Sequence, residues 1–135
     1  MTAPLSWPIC NEKAFRYFWT DATPTVNPTN GLVVDSTKGG WPASIAAIGM
    51  ALAIYPIGVH RGFITRKEAI TRTLTTLRFF WHSPQGTEAD ATGYRGFYYH
   101  FLHMQTGKRV WNCELSTVDT AFSSRWSTQC RALLR

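Results

Sequence analysis

The sequence contains few cysteines, and their spacing does not match a metal site. Among 135 residues there are three, Cys10, Cys113 and Cys130, with neither a CxxC pair nor a Cys/His ligand pattern. An odd number of widely spaced cysteines favours reduced thiols over a disulfide framework. We therefore expect neither a bound metal nor a structural disulfide.

The sequence also lacks any run of consecutive basic residues, although its net charge is +6. Much of that excess lies in residues 122–135, which include Arg125, Arg131 and Arg135 and no acidic residue. Nucleic-acid modules concentrate their positive charge in a patch or along a helix. We therefore expect no nucleic-acid partner.

Neither a signal peptide nor a membrane-spanning segment is evident. Residues 1–13 lack the basic and apolar regions of a secretory signal. Residues 45–59 are apolar but too short to cross a bilayer, and Pro56 interrupts them. We expect a buried helix there, no membrane span, and a cytoplasmic location for the chain as it stands.

Aromatic residues are abundant instead, with six Trp, five Tyr and eight Phe. Residues 93–121 predict an aromatic strand, a turn at residues 105–107, a second strand and a helix start at Ser116. Glu114 and Asp119 occur where strand becomes helix. Their neighbours in this stretch include Tyr94, Arg95, Tyr98, Tyr99, His100 and Trp111. Rings stack on sugar faces and carboxylic acids move protons at a glycosidic bond, so this mixture suits carbohydrate chemistry.

Four helices are predicted, which makes the chain mainly α. Residues 1–10 form a leader, residues 20–43 form a long loop, and a β-hairpin near residues 94–115 precedes the last helix. The second helix is apolar almost all round and must be covered on every side. In the third, Glu68 completes a capping box. The predicted caps, in chain order, are Asn11, Ser44, Thr65 and Ser116.

Six segments of the chain carry a family resemblance because they occur in a fixed order. They read FRYFW, GLVVD, SIAAIG, YPIGV with RG, GYRGFYYHF and ELSTVDTA, beginning at residues 15, 31, 44, 55, 93 and 114. This series resembles the N-terminal part of the glucoamylase-like domain of bacterial endo-β-1,2-glucanases. The same domain type occurs inside cyclic β-1,2-glucan synthases. The match covers residues 11–121.

The resemblance implies an (α/α)6 barrel, in which six helix pairs surround a sugar-binding cleft. It also implies hydrolysis or transfer of glucose chains without a metal or an organic cofactor, in the periplasm or outside the cell. The sequence corresponds to a partial barrel of about four helices. We therefore expect a fragment of a catalytic domain that is inactive and marginally stable by itself.

Glu114 is the first candidate catalytic residue. On a regular strand it would share a face with Asn112 and Val110, opposite Trp111 and Cys113. A carboxylic acid enclosed by aromatic rings has its pKa raised, as a general acid requires. The alternative is a surface glutamate with a basic neighbour.

Asp119 is the second candidate, and it has a strong structural alternative. The segment STVD places Asp119 at the third helical position after Ser116, where a carboxylate stabilises the positive end of a helix. The two roles are compatible. Inverting glycosidases hold their two carboxyl groups about 6.5–9.5 Å apart, and a strand-to-helix corner could span that distance.

Five further residues are candidates for contacts with a sugar. Arg95 and His100 are favoured because their polar groups need partners wherever they are buried. Rings at alternate strand positions more often build a core, and so do Trp19 and Trp41. The candidate substrate-binding residues are Asp35, Tyr94, Arg95, Tyr99 and His100.

These features leave several functions open. The first is a glycoside hydrolase that acts on β-1,2-glucan by carboxylate general acid/base catalysis. The second is a transglycosylase module of a cyclic β-glucan synthase, and the third is a carbohydrate-binding remnant without catalysis. A basic nucleic-acid module is disfavoured, because phosphate would be repelled by Glu114 and Asp119.

Residues 122–135 form an atypical tail after the family-like domain of residues 11–121. One interpretation is translation in a shifted reading frame from Phe122 onward, since an overlapping frame permits a Leu-rich continuation of the helix. The alternative is a genuine helix. In that helix one stripe would contain Phe122, Trp126, Cys130 and Leu133.

Overall fold

The protein is seen in a computed structural model that describes residues 7–19 and 25–129. Its helices are α1 Trp7–Tyr17, α2 Ile45–His60, α3 Arg66–His82 and α4 Thr117–Gln129. Its strands are β1 Ala43–Ser44, β2 Gly93–Tyr94, β3 Phe97–Tyr99, β4 Phe101–Leu102 and β5 Leu115–Ser116. The mainly α prediction is confirmed.

Helix α1 begins earlier than predicted. It starts at Trp7, so Asn11 lies inside the helix and is not its cap. Pro8 falls in the first turn, where a backbone N–H has no partner within the helix and its absence costs little. Residues 1–6 of the predicted leader lie outside the described residues.

Helix α2 is the central element of the core. Ser44 caps it as predicted, because the Ser44 hydroxyl accepts a hydrogen bond from the Ala47 N–H at 3.1 Å. The helix passes through Pro56 and reaches His60, which is further than the predicted end at Tyr55. Pro56 has no N–H, so the helix lacks one backbone hydrogen bond there. Packing offsets this loss, because the Phe15 ring lies against Gly58, where a side chain would not fit.

The apolar surface of α2 is covered on most sides but not all. Helices α3 and α4 pack on it. The residues of α2 that are buried are Ile45, Ile48, Gly49, Ala51, Leu52, Tyr55 and Gly58. Met50 and Ile57 remain exposed. Within the described residues, no helix combines the length and apolarity that a membrane span requires.

The capping box at the start of α3 is confirmed. The Thr65 hydroxyl accepts a hydrogen bond from the Glu68 N–H at 3.2 Å, and the Glu68 carboxylate accepts one from the Thr65 N–H at 2.7 Å. These bonds satisfy two backbone donors that the helix leaves free. The Thr65 hydroxyl also donates to the Glu68 carboxylate at 2.7 Å, and this bond together with that from the Thr65 N–H favours the ionised form and lowers the pKa of Glu68.

The lowered pKa of Glu68 predicts a loss of stability in acid. A carboxyl group whose pKa is lower in the folded chain stabilises the fold above its unfolded pKa, and this contribution disappears as the pH falls through the folded value. We expect Glu68→Gln to reduce the dependence of the unfolding free energy on pH below about 4.5. Denaturant unfolding at several pH values between neutral and acidic measures this pH dependence for both chains.

Two threonine variants separate the cap from its helix. Thr65→Ala should cost about 1 kcal/mol. The matched change Thr71→Ala, at an exposed position inside α3, should cost nothing because alanine is the better helix former. If the Glu68→Gln variant lost as much stability in acid as the original chain, the capping box would not be the source of that loss.

Residues 25–43, the described part of the predicted long loop, contain no long element and are buried in part. Leu32, Val33 and Val34 are buried in the core. Asn27 and Asn30 each donate a side-chain hydrogen bond to the Met104 carbonyl, at 2.8 and 3.0 Å. The segment is therefore held between the core and the turn that contains Met104.

The predicted hairpin is present but divided into short strands. Strands β2, β3 and β5 form one antiparallel sheet, and β1 pairs with β4 in another. The chain reverses at residues 103–107, where the Gly107 N–H donates to the His103 carbonyl at 2.8 Å. The return path is interrupted because Trp111 and Asn112 adopt left-handed backbone angles, with φ of 57° and 51°.

Helix α4 continues past Phe122 to Gln129 and packs on α2. The Ser123 hydroxyl donates to the Ile45 carbonyl at 2.9 Å, and Gly49 leaves room for the Phe122 ring. Residues 130–135, with Cys130 and Leu133, lie outside the described residues. A shifted reading frame stays a prediction that resequencing of the gene would test.

Candidate active site

The start of α4 fixes the orientation of Asp119. The Ser116 hydroxyl accepts a hydrogen bond from the Asp119 N–H at 3.2 Å and donates to Asp119 Oδ2 at 2.7 Å. The predicted helix start at Ser116 is confirmed, and Asp119 occupies the first turn. Thr120 ties this turn to the sheet, since its hydroxyl accepts a hydrogen bond from the Tyr98 N–H at 3.0 Å.

His100 brings the two candidate carboxylates together. Its Nδ1 lies 3.2 Å from Glu114 Oε1 and 3.5 Å from Asp119 Oδ2. The His100 N–H donates to the Glu114 carbonyl at 2.9 Å, and the His100 carbonyl accepts from the Ile45 N–H at 3.1 Å. These three side chains are called the carboxylate cluster below. It lies where β5, α4 and the start of α2 meet.

Glu114 and Asp119 differ in exposure. The side chain of Glu114 is 73% exposed and that of Asp119 is 22% exposed. The aromatic enclosure expected around Glu114 is therefore not formed by the described residues. Glu114 is free to contact a substrate, whereas Asp119 is held beneath it by Ser116 and His100.

The separation of the two carboxylates is short. Both oxygens lie close to one nitrogen, and the sum of 3.2 and 3.5 Å is the greatest separation they can have. That limit lies at the lower edge of the separation of about 6.5–9.5 Å that inverting glycosidases use to admit a water between their carboxyl groups.

The structure separates the other predicted sugar contacts from this cluster. Asp35 lies beside Tyr17, whose pKa is raised by burial and further by the Asp35 carboxylate. Tyr94 and Arg95 form the β2–β3 turn, where the guanidinium stacks on the ring at 5.1 Å. The β2–β3 turn precedes β3 and His100 follows β3, so Arg95 and His100 lie at opposite ends of that strand.

Tyr99 is not a surface ring in this structure, and its role as a sugar contact stays a prediction. It is 7% exposed, and the Arg109 guanidinium covers its ring at 4.2 Å. The strand pairing explains this burial, because Tyr99 is opposite Leu115 and its side chain turns toward the core.

The predicted alternation of faces before Glu114 is also wrong. Residues 110–113 form a turn closed by the Cys113 N–H and the Val110 carbonyl at 3.2 Å. Cys113 is buried while Trp111 is 59% exposed, so they do not share a face. The left-handed angles at Trp111 and Asn112 break the two-residue period on which the prediction depended.

Two tryptophans line an open groove: Trp41, which the sequence predicts to be a packing residue, and Trp111, which the sequence places near the candidate carboxylates. Trp111 and Trp41 are in edge-to-face contact with ring centroids 5.1 Å apart, and they border a groove of about 770 Å³. No residue of the carboxylate cluster lines it. The asparagine after Trp111, a residue type that tolerates left-handed angles, was the only local sign of this turn.

The described residues include no group of three or more His, Cys, Asp or Glu placed to hold a metal ion. The arrangement instead offers a carboxylate proton donor and acceptor, an imidazole between two acids, and exposed indole rings. Carbohydrate-active proteins combine acids and exposed rings in this way.

Comparison with known proteins supports that class. No protein-family model matches the chain. It is 31% identical over 100 residues to an exo β-1,2-glucooligosaccharide sophorohydrolase (non-reducing end) of Parabacteroides distasonis, which covers 73% of this chain and 12% of that protein.

Two solved structures share the fold. A β-1,2-glucanase from Parabacteroides distasonis matches 95% of this chain and 18% of its own, with a TM-score of 0.76 and 25% identity. An endo-β-1,2-glucanase from Chitinophaga pinensis, solved with sophorotriose and glucose, matches 93% and 34%, with a TM-score of 0.66 and 18% identity. This chain thus spans a small part of each.

The resemblance to the glucoamylase-like domain of β-1,2-glucanases is confirmed, and the chain forms part of an (α/α)6 barrel.

Proposed function

We propose that this chain contributes the carboxylate cluster of a glycoside hydrolase that acts on β-1,2-glucan. The observation that carries the proposal is the position of His100 between Glu114 and Asp119 at the start of α4. The named activities of the two Parabacteroides distasonis proteins, both on β-1,2-linked glucose, support the substrate class.

In this proposal Glu114 is the general acid. It transfers a proton to the glycosidic oxygen as the bond between that oxygen and the anomeric carbon breaks, and water supplies the hydroxyl of the new reducing end. Glu114 is the better exposed of the two acids and can reach a substrate. The water forms the new bond to the anomeric carbon and releases a proton to solvent, and solvent protonates Glu114 again.

Asp119 and His100 position Glu114. Asp119 is fixed by Ser116, and its Oδ2 lies 3.5 Å from His100 Nδ1. An imidazole that donates from Nδ1 to Glu114 restricts the carboxylate to one orientation. The three side chains then act as one proton-sharing unit, in which the group exposed to the substrate carries out the transfer.

A segment exchange tests this function. Residues 25–129 replace the matching segment of the Parabacteroides distasonis β-1,2-glucanase, and the resulting chimaera is assayed for release of reducing ends. We expect hydrolysis of β-1,2-glucan and none of β-1,3- or β-1,4-glucan. Longer or cyclic products without new reducing ends would instead indicate transfer to a sugar hydroxyl. A folded chimaera with neither activity would contradict the proposal.

The 135-residue chain by itself is expected to show almost no turnover, because it corresponds to 18–34% of the two solved relatives. Exposed apolar residues of this chain, including Met50, Ile57 and Trp81, point to surfaces that a complete barrel would cover. Rapid cleavage of β-1,2-glucan by the isolated chain would show that the described residues suffice.

A second candidate is sugar binding without catalysis, and one observation favours it. Trp111 is a large exposed ring beside a groove that contains no carboxylate. A chimaera that binds β-1,2-glucan but does not hydrolyse it would support this alternative.

A further inference from the structure

The groove beside Trp111 is a formed surface with mixed character. It lies between residues 25–42 and residues 103–111, and its walls include Pro28, Thr29, Trp41, Met104, Gln105 and Trp111. This combination of flat apolar rings with scattered amides and hydroxyls is typical of sites for small polar ligands. We call it the Trp111 groove.

The turn that presents Trp111 is strained and specifically supported. The left-handed angle at Trp111 is unfavourable for a bulky residue, whereas Asn112 tolerates its own. Arg109 holds the turn, since its Nε donates to the Cys113 carbonyl at 2.6 Å and its Nη2 to the Asn112 carbonyl at 2.9 Å. Such strain persists where the surroundings impose it, and it occurs often at binding sites.

Tyr99 completes that support from below. The Arg109 guanidinium lies over the Tyr99 ring at 4.2 Å, which fixes the plane in which the guanidinium donates its hydrogen bonds. The result is an indole ring that is 59% exposed on a backbone with little freedom. A rigid exposed ring loses little conformational entropy when a ligand stacks on it.

A row of rings connects the groove with the carboxylate cluster. His100 contacts Phe101 at 4.3 Å, Phe101 contacts Trp111 at 5.2 Å, and Trp111 contacts Trp41 at 5.1 Å between ring centroids. Lys38 lies over the Trp41 ring at 5.6 Å. Trp111 therefore borders the groove and is linked to His100 of the carboxylate cluster through the Phe101 ring.

One donor in the groove lacks a partner. Nε1 of Trp41 is buried and makes no hydrogen bond to any described residue. An unpaired buried donor is unfavourable, and a hydroxyl group in the groove would pair it after a small rotation of the indole. This observation favours a ligand rich in hydroxyl groups over a purely apolar one.

We propose that the Trp111 groove binds a glucose chain that extends beyond the carboxylate cluster, with Trp111 as the stacking platform and Arg109 as its positioning residue. Sugar rings present flat faces of C–H groups to an indole, while their hydroxyl groups face the polar wall of the groove. The β-1,2 linkage of the bound glucose chain rests on the proposed function, whereas the stacking of sugar rings on Trp111 does not depend on it.

The experiment is a titration of the 135-residue chain with short β-1,2-linked glucose oligomers. The Kd is measured by calorimetry, and the indole N–H resonances are followed by nuclear magnetic resonance. We expect the resonances of Trp111 and Trp41 to shift and that of Trp81 to stay unchanged. Trp111→Ala should raise the Kd about tenfold, and Trp111→Phe should raise it less because a ring remains.

Two further variants make the test specific. Trp81→Ala removes a ring that is 86% exposed at the other end of the described fold, and it should leave the Kd unchanged. Arg109→Gln retains Trp111 but removes the support of its turn, and it should raise the Kd as well. Circular dichroism establishes that each variant is folded.

The groove proposal and the proposed function fail in different ways. A Kd within twofold of the original chain for Trp111→Ala, or an equal loss for Trp81→Ala, would overturn the groove. An unshifted Trp111 resonance at saturation would also overturn it. A chimaera that does not hydrolyse β-1,2-glucan, together with Trp111-dependent binding by the chain, would overturn the function and leave the groove standing.

Discussion

Glu114→Gln in the chimaera is expected to lower the turnover of β-1,2-glucan by about 10²–10⁴-fold. The amide keeps the shape of the side chain and can still accept a hydrogen bond from His100 Nδ1, but it cannot transfer a proton. The side chain is 73% exposed, so the melting temperature should hardly change. The initial rate of reducing-end release and thermal unfolding of the same preparation measure both effects.

Three variants separate catalysis from capping. Asp119→Asn should lower both turnover and stability, because Asp119 orients His100 and also receives the Ser116 hydrogen bond. Ser116→Ala should cost about 1 kcal/mol of stability through the lost cap. The matched change Glu88→Gln, at an exposed loop position, should alter neither. Turnover unaffected by Glu114→Gln would remove Glu114 from the chemistry.

Gly31→Ala is expected to destabilise the chain by about 2–5 kcal/mol. Gly31 has a φ of 74°, which disfavours any side chain, and an added Cβ would overlap the hydroxyl of Thr76 on α3. The Thr76 hydroxyl also donates to the Gly31 carbonyl at 3.4 Å, so this close approach joins residues 25–43 to the core. Denaturant unfolding of the folded chain measures the loss.

Substitutions at two other glycines separate the backbone contribution to that loss of stability from the steric contribution. Gly40 has nearly the same φ, 75°, but an added Cβ would meet nothing within 4 Å. Gly40→Ala should therefore cost only the backbone term, about 1–2 kcal/mol. Gly39 has neither constraint, and Gly39→Ala should change stability by no more than about 0.5 kcal/mol. Equal losses at Gly31 and Gly40 would show that contact with Thr76 contributes nothing.

The local features of this protein were predictable from sequence. The capping pairs Thr65 with Glu68 and Ser116 with Asp119 both form, because each links residues three positions apart within a single turn. The order of the six family-like segments predicted the helical fold and its relatives. Such signals depend on neighbouring residues or on whole motifs, and neither requires knowledge of how distant segments pack.

Only the tertiary structure decided which residues form the site. His100 meets Glu114 and Asp119 because β3 pairs with β5 and α4 follows directly, whereas Arg95 lies in the turn before β3 and Asp35 lies beside Tyr17. Sequence reasoning named Glu114 and Asp119 as candidate acids and favoured Arg95 and His100 among the sugar contacts, but it did not show which side chains meet.

The position of Trp111 could not be predicted from the sequence either. A bulky residue disfavours left-handed angles, so the local rules predicted a continuing strand with alternating faces. Hydrogen bonds from Arg109, whose guanidinium lies on the buried Tyr99, override that local preference. Sequence determined the local caps and the family of the fold. Long-range contacts alone determined which acids meet at His100 and which ring faces the groove, because their free energies exceed the backbone preferences that a sequence displays.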